Sequence, residues 1–117
     1  MANAFKLKTF DGSSINANTD MTIYTCPSST ETTIIGMSIA NITSSQITVD
    51  VKLESNTSDT ETNSNVFICK DVPIPVGGSF VPVGGDQKIV LQATDVIKVQ
   101  SDTANSADTA LSILEIT

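Results

Sequence analysis

The chain has no histidine, no tryptophan and no arginine, and among its 117 residues there are one tyrosine and four phenylalanines. The missing histidine removes the usual general base, the commonest zinc ligand and every Ser-His or Cys-His nucleophile pair, so any catalysis would fall to carboxylates. The missing arginine matters because phosphate is neutralised by clustered Arg and Lys, with bases stacked on aromatic rings. Here six lysines (Lys6, Lys8, Lys52, Lys70, Lys88, Lys98) stand singly in a chain of net charge −7, and no nucleic-acid partner is expected. Long apolar runs are absent as well. Nothing approaches the ~18 apolar residues of a membrane span, and the start, MANAFKLKTFDGSS, has neither the apolar core nor the cleavage pattern of a signal peptide. A soluble protein with no membrane partner is the expectation.

Cysteine is scarce. Cys26 and Cys69 could pair, yet each sits in a strand-like run where a small apolar residue would serve, with no cysteine-dense framework around them. Two buried free thiols are the preferred reading, in keeping with assembly in a reducing cytoplasm.

What the chain has in quantity is Ser, Thr and Asn interleaved with Ile and Val, a composition suited to strands with neutral polar outer faces. Lys70 to Val99 shows the plan. Pro73, Pro75 and Pro82 hold the backbone extended, the Gly77-Gly78 and Gly84-Gly85 pairs reverse it, and Ala93-Thr94-Asp95 separates two further strands. Upstream, Ala4 to Phe10 alternates Phe5, Leu7 and Thr9 with Lys6 and Lys8, and Asp11-Gly12-Ser13-Ser14 follows as a turn. Met21 to Cys26 is a second strand. Thr32 to Ile42 reads as a central strand buried on both faces or crossing between sheets, with Gly36 marking a bulge or a close approach. In Gln46 to Glu54, Ile47, Val49, Val51 and Leu53 alternate with Thr48, Asp50, Lys52 and Glu54, giving one dry and one wet face. A polar loop runs from Ser55 to Asn65. Strands resume at Val66 to Asp71, Val96 to Ser101 and Asp108 to Ile116. Eight or nine antiparallel strands and no helical period predict an all-β, single-domain β-sandwich, jelly-roll or Ig-like. Residues 1–20 read as an N-terminal arm and first strand, and 21–117 as the sandwich body, one domain overall.

No motif carries bond-making chemistry. Asp50 and Glu54 flank Lys52 on one strand face, as a solvated ion-pair surface does. Asp59 and Glu61 lack the D-x-D-x-D-G spacing of a calcium loop, and neither glycine pair leads into a helix or a GK[ST]. Asn41-Ile42-Thr43 and Asn56-Thr57-Ser58 match the glycosylation acceptor at a rate expected by chance in so Asn/Ser/Thr-rich a chain. No catalytic, cofactor-binding or metal-binding residues are assigned. A surface that adheres to copies of itself or to a larger assembly fits better. Its candidate residues are Phe5 and Phe10 in the first strand and Val72, Pro73, Ile74 and Pro75 in the Pro-rich segment, which reads first as a crossover between the two sheets; the two readings are compatible.

TIYTCPSSTETTIIGMSIANITSSQITVDV from Thr22, KDVPIPVGGSFVPVGGDQKIVLQATDVIKVQS from Lys70 and the ending ALSILEI together resemble small β-rich virion structural proteins of tailed bacteriophages, common among those infecting cyanobacteria. The resemblance lies in strand order and turn wording. It implies a non-enzymatic sandwich present in many symmetric copies on a virion: a capsid decoration (cement) protein, or a neck, tail or baseplate component. The implied partners are further copies of the chain, as a trimer, and the major capsid protein or neck and tail proteins. A reading from a different class is a carbohydrate-binding module, which the scarcity of platform aromatics weakens.

Overall fold

A computed structural model describes residues 2–55 and 62–117. Nine strands follow one another: β1 (Asn3–Phe10), β2 (Asp20–Thr25), β3 (Glu31–Asn41), β4 (Ile47–Glu54), β5 (Val66–Ile74), β6 (Ser79–Val83), β7 (Ile89–Leu91), β8 (Val96–Ser101) and β9 (Ala107–Ile116). They form two antiparallel sheets. One has the order β1-β9-β3-β6, with β7 also pairing on β3; the other has the order β2-β8-β4-β5. The strands β1 to β4 alternate between the sheets, β5 stays beside β4, β6 and β7 cross to the first sheet, β8 crosses back and β9 returns, so that strands distant in sequence become neighbours. This winding, with four strands in each layer and β7 added to the first, is a jelly roll, and it settles the choice between the jelly-roll and Ig-like arrangements.

The interior follows from the two-residue period of a strand. Ile47, Val49 and Val51 of β4, Ile97 and Val99 of β8, and Ile74 of β5 point from one sheet; Ile34, Met37 and Ile39 of β3 and Leu111 and Ile113 of β9 point from the other, all of them buried. Burying an aliphatic side chain of this size contributes about 1.5–3 kcal/mol. The expectation that β3 is buried on both faces is corrected. Its inner residues are shielded, while Thr33, Ser38 and Ala40 on its outer face are only half-covered. Gly36 lies at a register shift in the β3–β9 pairing, the bulge its position announces.

The turns are built as the glycines require. Gly78 N–H donates to Pro75 O at 3.0 Å with Gly77 at φ +73°, and Gln87 N–H donates to Gly84 O at 3.2 Å with Gly85 at φ +62°. The first of these turns carries the chain from β5 in one sheet to β6 in the other, so the Pro-rich segment is a crossover. Pro73 belongs to β5, an edge strand, where a missing N–H costs least. Asn41, buried at the end of β3, fastens this corner. Its side-chain amide donates to Ser45 O at 2.8 Å and Ile74 O at 3.0 Å, and its carbonyl accepts from Thr43 N–H at 2.8 Å. That role accounts for the first of the two acceptor-like sequences. The second, at Asn56, lies outside the described residues, as do Asp59 and Glu61.

Both thiols are free, with Cys26 buried and Cys69 half-buried. Asp50 corrects the expectation of a solvated pair. It is buried and accepts from Asp71 N–H at 2.7 Å, at a bulge where Asp71 has φ +56°, with Lys70 Nζ at 3.9 Å. No helix among the described residues is long and apolar enough to cross a membrane.

Candidate docking surface

The two sheets present very different outer faces. On β2-β8-β4-β5, charge is plentiful and paired: Lys52 meets Asp20 at 2.9 Å, Lys98 meets Glu54 at 3.0 Å, and the Lys70 ammonium lies 4.9 Å from the centre of the Phe67 ring. Lys52 and Lys98 sit directly opposite each other across β4 and β8, and each is neutralised by its own carboxylate. Such half-exposed pairs add little stability but keep a face hydrated.

On β1-β9-β3, register places neutral side chains in rows. Phe5, Leu114, Thr33 and Val90 form one continuous row across four strands, and Leu7, Ser112 and Gly36 form the next. Thr9, Ala110 and Ser38 make a third. The carboxylates of this face, Glu31 and Asp108, stand at its opposite ends. Phe5 is 77% exposed, Leu7 66% and Val90 61%. Beyond the third row the face sinks into a hollow of about 300 Å³ lined by Thr9, Phe10, Ser38, Ala40, Asp108 and Ala110. Thr109 also lines it, and its buried hydroxyl has no hydrogen-bond partner among the described residues.

Phe5 and Leu7 face outward because the lysines on the other side of β1 have polar partners there, at the margin of the sandwich. Lys6 reaches Glu115 at 2.7 Å, and the Lys8 ammonium lies 6.0 Å from the centre of the Tyr24 ring. Glu115 in turn accepts from the Tyr24 hydroxyl at 2.5 Å, and that hydroxyl also lies 2.9 Å from Thr32 Oγ1. Tyr24 belongs to one sheet, and Lys6, Thr32 and Glu115 to the other, so the cluster ties the layers together. The Lys6 hydrogen bond, followed by that of Tyr24, holds the Glu115 carboxyl below its usual range. Burial, with Glu115 beside it, pushes the Tyr24 phenol up. Both shifts keep the carboxylate charged and the phenol protonated at neutral pH.

The six residues expected from sequence to dock do not converge. Phe5 is on the outer face just described, and Phe10, on the same strand, is half-buried and packs against the core while lining the hollow. Val72 is half-buried and Pro73 and Pro75 are exposed, but on β5 and its crossover. β1 edges its sheet beside β2, whereas β5 lies beside β6, on the opposite flank of the sandwich. The structure corrects the expectation for Ile74. Its side chain is fully buried opposite Ile47, directed inward by strand alternation, and offers no surface. Leu7 and Val90 are additions. Leu7 shares Phe5's side of the alternation, and that was its only signal. Val90 gave none, since it sits in an Ile-Val-Leu run that reads as core throughout.

Among the described residues, no group of three His, Cys, Asp or Glu side chains could hold a metal ion. The arrangement offers surfaces for contact and ion pairs for hydration.

A two-layer jelly roll with one charged and one neutral outer face is the class of protein that the geometry defines. No protein-family model matches the chain, and no curated protein matches it. Among solved structures, a chain from the acidic stable capsid structure of Helicobacter pylori bacteriophage KHP30 is similar in fold, with a TM-score of 0.52 at 15% identity over 100% of this chain and 89% of that one.

Proposed function

We propose that the chain is a non-enzymatic structural protein of a bacteriophage virion, a capsid decoration protein that self-associates, as a trimer, and reinforces the capsid surface. The observation that carries this reading is the similarity in fold, along the whole chain, to a chain from a phage capsid. The neutral outer face of β1-β9-β3 supports it, because an exposed row of Phe5, Leu114, Thr33 and Val90 is a surface suited to being covered. Reinforcement would act by mass action: a protein that binds only the assembled lattice shifts the equilibrium away from disassembly. Its work would be done by buried contact area, with no bond made or broken.

Quantitative mass spectrometry of purified particles of the phage that encodes this chain tests the proposal. Hundreds of copies per particle are expected of a decoration protein. About a dozen would move it to the neck or tail, and absence from the particle would overturn the virion reading altogether.

A further inference from the structure

Resting on that reading, we infer that the outer face of β1-β9-β3 is where one copy of this chain meets the next, Phe5 and Leu7 of each copy seating in the small-residue hollow around Ala40 and Ala110 of its neighbour. Three observations point to a second copy as the occupant. The first is shape. The protrusions lie on β1, at the edge of the sheet, while the hollow opens over its middle, between β1, β9 and β3. A knob and a socket at different places on one surface make a head-to-tail contact, and head-to-tail contacts between identical chains close into rings when the rotation allows. An edge inserted into a neighbouring face is the pinwheel form of such a ring. An aromatic anchor in a water-excluding pocket is also the usual centre of a strong junction.

The second observation is charge. At net −7, copies of this chain repel one another, and a contact that carried its share of that charge would be opposed. The three rows from Phe5 to Ser38 carry none; Glu31 stands beyond them at one end, and Asp108 at the other, on the rim of the hollow. Asp11 and Asp108 line the far side of the hollow, where an acidic partner would be repelled, while the uncharged Phe5 and Leu7 of a second copy bring no like charge to it. The third is area. A face as long as the ten residues of β9 and four strand positions wide measures about 33 by 19 Å, or about 600 Å² in projection. Stable contacts bury about 800 Å² per partner, so the junction must draw on most of this face around the Phe5 and Leu7 anchors and not on those two side chains alone.

The test uses sedimentation velocity on the full chain, with circular dichroism to confirm folding. Phe5→Asp and Ala110→Arg place charge on the knob and in the socket, and both positions are on the surface, so the sandwich should persist. Val76→Asp, at the exposed turn of the crossover, is the control on the competing surface. Wild type is expected to associate, each of the first two variants to weaken association at least 100-fold, and Val76→Asp to leave it unchanged. Mixing Phe5→Asp with Ala110→Arg should restore one junction, since the intact knob of one meets the intact socket of the other, and pairs should reappear. Association that survives both variants, loss caused by Val76→Asp instead, or no recovery on mixing would overturn the inference. So would a wild-type chain that stays monomeric at about 100 μM. A monomeric wild type would also remove the trimer from the proposed function, but none of these outcomes touches the copy number found in virions, so the virion reading and this junction fail separately.

Discussion

Replacing Tyr24 by Phe removes one oxygen from the cluster that joins the two sheets, and the cost can be worked from its partners. Glu115 is buried and uses one carboxylate oxygen for Lys6 and the other for the Tyr24 hydroxyl. Without that hydroxyl, an ionised and largely buried oxygen loses its donor, a loss of about 1–3 kcal/mol. Thr32 keeps a second neighbour in the Cys26 thiol at 3.3 Å, so its share is small. A destabilisation of about 2 kcal/mol is expected, which for a domain of this size lowers Tm by roughly 6–10 °C. In a Glu115→Gln background the orphaned group is neutral, and the same substitution should cost about 1 kcal/mol, a coupling of about 1 kcal/mol in a double-mutant cycle. The pH dependence has a definite sign. Glu115 titrates below its unfolded value in the folded state, so its contribution is present above the ordinary carboxylate range, about pH 4.3, and is lost as pH falls through the folded value. The penalty of Tyr24→Phe should therefore shrink in acid. Urea unfolding at pH 7 and below pH 4 measures both. A loss under about 0.5 kcal/mol at pH 7, or one that grows on acidification, would refute the argument.

Two further outcomes follow from packing. A Cβ on Gly12 would sit 1.7 Å from the Ala107 carbonyl oxygen, so Gly12→Ala must displace the start of β9 and break the Gly12 N–H bond to Asp108; a loss of about 3 kcal/mol or more in urea is expected. Burial pushes the Cys26 thiol up, and the thiol lies 3.3 Å from Thr30 O. Ellman's reagent at pH 8 should leave it unmodified in the folded protein and titrate it only in denaturant.

Much of the architecture was legible because strand alternation and turn chemistry are local. Ile47, Val49 and Val51 announce an inward face whichever strand lies beside them, and Gly77 and Gly85 announce reversals because few other residues accept their φ. Gly36 was half-legible: a mid-strand glycine signals a bulge without saying which register shifts. Asn41 was not, since in sequence it showed only a chance acceptor pattern, and the carbonyls of Ser45 and Ile74 that it fastens come near only in the fold.

The candidate surface was the least legible part, and β1 shows why. Phe5-Lys6-Leu7-Lys8 alternates perfectly, but alternation is symmetric: it separates two sides without saying which is inside. Elementary hydropathy assigns Phe and Leu to the core and Lys to water. Glu115, more than a hundred positions from Lys6, and Tyr24, sixteen positions from Lys8, reverse this by offering Lys6 a buried carboxylate and Lys8 an aromatic ring. By itself the chain determined its strands, its turns and the aliphatic interior, since these depend on neighbours within a few residues. That Phe5 and Leu7 lie on the outer side of the edge strand, and hence that one sheet wears a largely neutral coat, was decided only when the jelly-roll winding brought β1, β2 and β9 together, because the lysines turn toward the side where a carboxylate and a ring have been placed to receive them.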